Sequence, residues 1–292
     1  MAAECHTQTR NHYNKMTPDE YCQQKAAQSG SSFYYSFLFL PMERRRAITA
    51  LYAFCREVDD AVDEPSDPGV ARTKLAWWRN EVAQLFAGNP QHPVTRALQP
   101  AIVDYGITRE RLDDIMDGME MDLTQSRYLD YTNLKLYCHR VAGVVGLLAA
   151  GIFGYRDSRT LDYAAKLGLA FQLTNIIRDV GEDARNNRIY IPMDELKQFN
   201  VKAADLLNGR QTEDFTRLMA FQGERARQCY ADAMAALPAE DRRTQRPGLV
   251  MAAIYRTLLE EIERDGYPVL KQRTRLTPLR KLWIAWRTWI RA

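Results

Sequence analysis

Apolar residues along the chain repeat at intervals of three and four, a spacing that predicts amphipathic helices separated by proline and glycine. The first helix begins at Thr17-Pro18-Asp19-Glu20, where an N-cap threonine, a proline and a glutamate at N3 form a capping box. Further helices are expected over 41–64, 71–87, 93–105, 108–125, 132–154, 158–186, 212–237 and 247–265. No segment shows the alternation of a β-strand. The sequence therefore predicts an all-α, single-domain helical bundle.

The two ends of the chain differ in composition from its middle. Residues 1–16 are polar and are expected to be flexible, 17–270 form the helical domain, and 271–292 form a basic, tryptophan-rich helix. In this last segment Leu279, Trp283, Trp286 and Ile290 recur at helical spacing with arginines between them. Such a helix can lie on an anionic membrane surface, or it can pack its tryptophans on the core and leave its arginines in water.

Composition narrows the class of protein. The 292 residues are 46% hydrophobic and 26% charged, which is typical of a globular protein with a large core. The net charge of +3 is too small to indicate a nucleic-acid partner. The sequence has neither an apolar run of about 20 residues nor the apolar core of a signal peptide near its start, so a cytoplasmic location is expected. Five scattered cysteines and four histidines without ligand spacing argue against disulfides and zinc.

Two local features have more than one interpretation. Gly143, Gly146 and Gly151 interrupt the most apolar predicted helix, where they could admit a neighbouring helix or clear space for a long hydrocarbon ligand. The helix over 108–125 is rich in acids that scatter around its circumference, so a solvated surface is expected for Asp113, Asp114, Asp117, Glu120 and Asp122.

A polar stripe runs along the helix predicted over 158–186. Gln172, Asn175, Asp179 and Asp183 lie three, four and four residues apart, which places them within roughly 80° of arc. Arg178, Glu182 and Arg185 are expected on a different side, toward solvent. Carboxylates four residues apart on a helix repel each other, so a cationic partner is expected.

A second helix carries a similar cluster, with Arg56, Asp59, Asp60 and Asp63 opposite its apolar face. Helical bundles build metal sites by directing carboxylates inward from facing helices. Oxygen ligands without histidine favour Mg²⁺, with Mn²⁺ as the alternative, and Mg²⁺ is commonly shared with substrate phosphates. The pair of clusters thus indicates a polyphosphate held between two aspartate-rich helices.

The motifs Arg56–Asp63 and Gln172–Asp183, the second followed by Asn187–Pro192, resemble those of the squalene and phytoene synthases, which join two isoprenyl diphosphates head to head. The resemblance extends from about Tyr34 to Arg287. Within the family, the chain looks closest to bacterial presqualene diphosphate synthases of hopanoid biosynthesis, through the segments 30–37 and 279–286.

The resemblance implies an isoprenoid synthase bundle with a central cavity between the two aspartate-rich helices. It implies metal ligands at Asp59, Asp63, Asn175, Asp179 and Asp183. Tyr137 would join the four aspartates as a catalytic residue. Substrate contacts would come from Ser32, Arg56, Gln172, Asn175, Arg178, Arg188, Tyr255 and Arg273.

The reaction implied by the resemblance is the condensation of two farnesyl diphosphates into presqualene diphosphate and pyrophosphate. The released pyrophosphate is the favoured proton acceptor, because a tyrosine with a pKa near 10 is a poor base. NADPH is not expected, since no nucleotide-binding loop is recognisable. The alternatives are a phytoene or dehydrosqualene synthase and, in another class, a non-catalytic scaffold of the same fold. Downstream squalene-forming enzymes and the inner membrane face are further expected partners.

Overall fold

A computed structural model describes residues 16–28, 33–63 and 67–291. The predicted flexible segment 1–16, apart from Met16, and the predicted substrate contact Ser32 lie outside the described residues. Among the described residues there is no β-strand, and the chain forms helices joined by short loops. In chain order these helices are α1 Pro18–Gln28, α2 Phe33–Phe37, α3 Met42–Asp63, α4 Pro68–Phe86, α5 Pro93–Tyr105, α6 Arg109–Thr124, α7 Tyr131–Cys138, α8 Val144–Phe153, α9 Arg159–Arg185, α10 Met193–Gln198, α11 Ala203–Leu207, α12 Glu213–Ala236, α13 Arg246–Arg264 and α14 Pro278–Arg291.

The helix ends follow the local signals in the sequence. The capping box of α1 forms as predicted, since Thr17 N donates to Glu20 Oε2 at 2.8 Å and Glu20 N donates to Thr17 Oγ1 at 3.3 Å. Helix α4 begins three residues earlier than expected because the side chain of Asp67 accepts a hydrogen bond from Gly69 N at 2.7 Å. Helix α5 has the predicted bounds and ends before Gly106, which has a φ of 65°.

The most apolar predicted helix is continuous over Tyr131–Phe153 but contains a π-helical turn at His139–Gly143, between α7 and α8. Its length and composition would suit a membrane span, but it contacts α6 and α9 inside this fold. A Cβ at Gly146 would lie 2.4 Å from the carbonyl oxygen of Ala164 in α9. The close approach of two helices therefore requires this glycine, which also lines the central cavity.

Two hydrophobic clusters enclose that cavity. One is built mainly from α3, α4, α5, α6 and α8, and the other mainly from α9, α12 and α13. The space between them has a volume of about 760 Å³ and is walled chiefly by α2, α3, α8, α9, α13 and residues 273–276, 278 and 281. The predicted all-α bundle with a central cavity between two aspartate-rich helices is confirmed.

Helix α14 packs on α13 and α2 through only part of its circumference. Ala285 is fully buried, and Ile284 and Trp289 pack against the core. Trp283 and Trp286 remain 57% and 46% exposed. The interpretation in which the tryptophans cover the core is therefore correct for Trp289 and wrong for the other two.

Candidate active site

The cavity is apolar along the first part of its two principal walls and polar along the second. On α3 the lining changes from Ile48 and Leu51 to Arg56 and Asp59. On α9 it runs from Tyr163 to Arg178, a distance of about 22 Å at 1.5 Å per residue. The site can thus hold a long apolar chain with a charged group at one end.

The first aspartate cluster lies at the polar end of α3. Arg56 donates to Asp59 Oδ2 at 2.6 Å and to Asp60 Oδ1 at 2.9 Å. Asp60 is also paired with Lys25 of α1 at 2.8 Å, and it is not part of the cavity lining. Burial raises the pKa of Asp59 to about 7; Arg56 opposes this rise and Asp63 adds to it. Burial therefore disfavours the ionised form of Asp59 even though Arg56 is paired with it.

The second cluster, at the polar end of α9, is held by two arginines. Arg178 Nε and Arg273 Nε donate to Asp179 Oδ1 at 2.7 and 2.8 Å. Arg273 also pairs with Glu182 at 3.1 Å. Burial, followed by the charge of Asp179, raises the pKa of Asp183 to about 7.

The expectation that Arg178 points to solvent is wrong. Its side chain is 16% exposed and lines the cavity, and its guanidinium donates to the carboxylate of Asp179. The assignment of Arg178 as a substrate contact stays a prediction. Glu182 and Arg185 are exposed, as expected.

Arg273 reaches the site because the chain after α13 lies directly on α9. Gly181 N donates to the carbonyl oxygen of Val269 at 3.2 Å. A Cβ at Gly181 would lie only 2.5 Å from that oxygen. The missing side chain at Gly181 therefore sets the separation between α9 and the segment that carries Arg273.

Arg188 links the two clusters. Its Nη1 donates to Asp63 Oδ1 of α3 at 2.9 Å. The segment that carries Arg188 is fixed by hydrogen bonds from Arg188 N to Asp183 O at 2.8 Å and from Ile189 N to Ser126 O at 3.0 Å. Asn187, at a φ of 56°, makes the turn that directs the segment away from α9.

Asp122 is a functional candidate, and the prediction that it lies on the solvated surface is wrong. Its carboxylate accepts hydrogen bonds from Tyr137 Oη at 3.0 Å and Tyr190 Oη at 2.7 Å. Burial raises the pKa of Asp122 to about 6, although these hydrogen bonds and Arg188 oppose the rise. The other acids of α6 vary in phase, so the helical pattern alone could not separate Asp122 from them. By contrast, Asp117 and Glu120 pair with Arg79 as surface groups.

Tyr137 lines the cavity beside this carboxylate. Its ring lies 5.2 Å from that of Tyr190, and both rings are near Tyr128. Burial, and then the charge of Asp122, raises the pKa of Tyr137 well above its ordinary value. Tyr137 is therefore a neutral hydrogen-bond donor fixed toward Asp122.

The predicted site residues divide into two groups. Those that line the cavity are Arg56, Asp59, Tyr137, Gln172, Asn175, Arg178, Tyr255 and Arg273. Those beside the polar end, outside the lining itself, are Asp63, Asp179, Asp183 and Arg188. Tyr255 is buried with its ring 4.9 Å from that of Phe171, and Asn175 donates weakly to Gln172 at 3.4 Å.

Three further polar residues line the cavity from the C-terminal segment: Thr274, Arg275 and Lys281. Thr274 Oγ1 is buried without a hydrogen-bond partner in the described part of the chain. Burial, then Arg178 and Arg275, lowers the pKa of Lys281. The segment before α14 is not helical, so periodicity gave no signal for Thr274 or Arg275, and the run of basic residues was the only indication.

The donor atoms suit a hard divalent cation. Asn175 Oδ1 is buried and lacks a hydrogen-bond partner among the described residues, and burial raises the pKa of both Asp59 and Asp183, so a nearby cation would favour their ionised forms. Within residues 16–28, 33–63 and 67–291, no three acidic, histidine or cysteine side chains converge on one point. In this arrangement Arg188 holds Asp63, and Arg178 and Arg273 hold Asp179.

Comparisons with known proteins agree with this architecture. The squalene/phytoene synthase family model matches residues 26–280. A phytoene synthase from Arthrospira platensis is 38% identical over 276 residues, which cover 90% of this chain and 89% of the relative. A 15-cis-phytoene synthase from Synechocystis sp. is 35% identical over 285 residues, with coverages of 94% and 85%.

Two solved structures are also similar. A dehydrosqualene synthase in complex with a ligand has a TM-score of 0.84 at 26% identity and covers 95% of this chain and 96% of its own. The squalene synthase HpnC from Alicyclobacillus acidocaldarius has a TM-score of 0.75 at 27% identity, with coverages of 86% and 94%.

Proposed function

Because the chain belongs to the squalene/phytoene synthase family of head-to-head prenyl synthases, we propose that it joins two C20 prenyl diphosphates and forms phytoene. The observation that carries this proposal is the 38% identity, over nine-tenths of the chain, to a phytoene synthase. The expected presqualene diphosphate synthase is less well supported, because the similar C30-type structures share only 26% and 27% identity with this chain.

The cationic side chains at the polar end would bind the two diphosphates. Arg56, Arg178, Arg188 and Arg273 are each already paired with a carboxylate, so their guanidinium groups are oriented before substrate arrives. Planar guanidinium groups form paired hydrogen bonds with phosphate oxygens, which would hold the leaving group after the allylic C–O bond breaks. A divalent cation on oxygen ligands from Asp59, Asp63, Asn175, Asp179 and Asp183 would supply further positive charge to that leaving group.

The apolar part of the cavity would protect the allylic cation. Phe33, Phe37 and Phe153 line it together with aliphatic residues of α3, α8 and α9. Removing water from this space prevents capture of the cation and strengthens the charge interactions at the polar end. The same walls would align the double bond of the second substrate with the C1 cation.

Tyr137 would act as a positioning group. Its hydroxyl hydrogen is directed to Asp122, and its raised pKa keeps it protonated at neutral pH. The ring can face a cation through its π surface. Attack of the second substrate's double bond on the C1 cation would close a cyclopropane with loss of one proton, and the pyrophosphate already released is the proposed acceptor of that proton. Formation of phytoene from this cyclopropyl C40 diphosphate then requires departure of the second diphosphate and loss of a second proton, so that two pyrophosphates are released in all.

A second candidate is the condensation of two C15 diphosphates to presqualene diphosphate or dehydrosqualene. It is favoured by the TM-score of 0.84 with a dehydrosqualene synthase over 95% of this chain. The alternative of a non-catalytic scaffold is less well supported, because it requires that both complete aspartate clusters have no catalytic role.

The deciding experiment supplies the purified full chain with Mg²⁺ and with either C20 or C15 prenyl diphosphate, with and without NADPH. Mass spectrometry is expected to find a C40 hydrocarbon from the C20 substrate without NADPH. A C30 product alone would support the second candidate. The lack of any condensation product from either substrate would contradict the assignment as a synthase. Asp59→Asn/Asp179→Asn protein is the control that measures background product formation.

A further inference from the structure

Helix α14 presents an exposed apolar strip formed by Leu279, Leu282, Trp283, Trp286 and Ile290. Leu279, Trp283 and Ile290 are 81%, 57% and 58% exposed. At 100° per residue, the five positions fall within about 100° of arc. The rings of Trp283 and Trp286 are 5.1 Å apart, so the strip is continuous across its centre.

The remaining circumference of α14 shows how this strip is oriented. The side that carries Ala285 and Trp289 packs into the fold, and Phe39 of the preceding α2–α3 loop lies 5.1 Å from the ring of Trp289. Between the strip and the buried side is a row of Arg280, Arg287 and Arg291 within about 40° of arc. The strip is thus fixed outward by the packing behind it and bordered by positive charge.

The arginine row is largely available for an external partner. Arg280 pairs with Glu261 of α13 at 2.6 Å. Arg287 and Arg291 are exposed and form no ion pair in the part of the chain that the structure describes. Residues 271–292 contain seven lysines and arginines and no aspartate or glutamate.

These charges decide which occupant the strip fits. Two copies of the chain meeting through this face would place their arginine rows beside one contact, without acids from the same segment to neutralise them. An anionic bilayer instead offers an apolar layer for the tryptophans and phosphate groups for the arginines. We infer that α14 is an interfacial helix that binds the protein to an anionic lipid surface through the apolar strip and the arginine row.

The position of α14 relative to the cavity gives this attachment a consequence. Pro278 and Lys281, on the same helix, line the cavity. A bilayer against the apolar strip therefore lies close to one wall of the site. If the proposed function is correct, the helix that meets the lipid also forms part of the wall of the cavity that binds long prenyl chains.

The test measures binding of the full chain to vesicles of phosphatidylcholine alone and of phosphatidylcholine mixed with phosphatidylglycerol. The wild type is expected to float with the mixed vesicles and to be released by high salt. Leu279→Ser/Ile290→Ser protein should bind about tenfold more weakly or worse. The matched control, Val103→Ser/Leu129→Ser, removes two aliphatic side chains that are 87% and 74% exposed elsewhere, and should bind like the wild type.

A second pair of variants tests the arginine row. Arg287→Gln/Arg291→Gln should weaken binding to the anionic vesicles by about fivefold for each arginine removed. The control Arg45→Gln/Arg72→Gln removes two exposed arginines from α3 and α4 and should have little effect.

Several results would overturn the inference. The first is that the wild type does not bind the mixed vesicles. The second is that the variants and their controls lose vesicle binding equally. The third is that the wild type is a dimer that the Leu279→Ser/Ile290→Ser substitution dissociates. Synthase activity measured in detergent should be unchanged by that double substitution, because neither residue lines the cavity. Loss of vesicle binding with retained activity would therefore test the membrane helix separately from the proposed function.

Discussion

Substitution of Gly181 by alanine should damage the active site from the opposite side of α9. The added Cβ would lie 2.5 Å from Val269 O and 2.6 Å from Leu270 O. Ordinary contact begins near 3.4 Å, so the 269–270 backbone must retreat by about 1 Å. Arg273 follows a few residues later and would lose its 2.8 Å contact with Asp179.

The expected effect on activity exceeds the effect on stability. Alanine gains about 1 kcal/mol over glycine in helix propensity, while overpacking costs about 1–3 kcal/mol, so the free energy of unfolding should fall by at most about 2 kcal/mol. A misplacement of about 1 Å in a group that binds the transition state can lower the rate by about 10²-fold. The variant should therefore fold but turn over slowly.

The assay is a double-mutant cycle with Arg273→Gln, reading kcat/KM for pyrophosphate release and the unfolding free energy of each protein. If Gly181→Ala acts by moving Arg273, it should add little to the activity loss of Arg273→Gln. Full activity of Gly181→Ala, or strictly additive losses in the double variant, would refute this reasoning.

Asp59→Asn combined with Asp179→Asn should lower turnover by well over about 10²-fold while the circular dichroism stays helical; unchanged turnover would remove the metal-site hypothesis. Asp122→Ala leaves two tyrosine hydroxyls without their acceptor and should cost about 1–3 kcal/mol for each in a denaturant titration, whereas a neutral result would mean that the network is not stabilising. Burial opposes ionisation of Asp241, but hydrogen bonds from Thr160 and two backbone N–H groups outweigh it and lower the pKa of Asp241. The ionised Asp241 should therefore stabilise the folded protein fully above the unfolded-state pKa of about 4. This stabilisation should be lost as the pH falls through the lower pKa that Asp241 has in the folded protein. In denaturant titrations, the wild type should exceed Asp241→Asn in unfolding free energy at pH 7 but not at pH 2, and an equal difference at both pH values would contradict this.

The helices were predictable because their signals are local. Proline, glycine and capping side chains act within one turn of the helix end they define, so α5 and the capping box of α1 could be placed from the sequence. The stripe of Gln172, Asn175 and Asp179 was visible for the same reason, since helical periodicity alone puts these residues on one side.

Asp122 shows where local reasoning fails. It lies on a helix whose acids point in several directions, and the sequence cannot tell which direction becomes the interior. Only the packing of α6 against the segment that carries Tyr190 removes Asp122 from water. The prediction that Arg178 points to solvent was wrong for a related reason, because a long side chain can extend away from the side of the helix on which its Cα lies.

The helical bundle, the two aspartate clusters and the amphipathic character of α14 were predictable from the order of the residues, because helix formation and periodicity depend on neighbours within a few residues. Only the folded chain shows that Arg273 meets Asp179, that Arg188 meets Asp63, and that Trp289 packs on the core while Trp283 is exposed. Burial and ion pairing between distant segments instead depend on which helices approach closely, and here the absence of a side chain at Gly146 and Gly181 permits that approach.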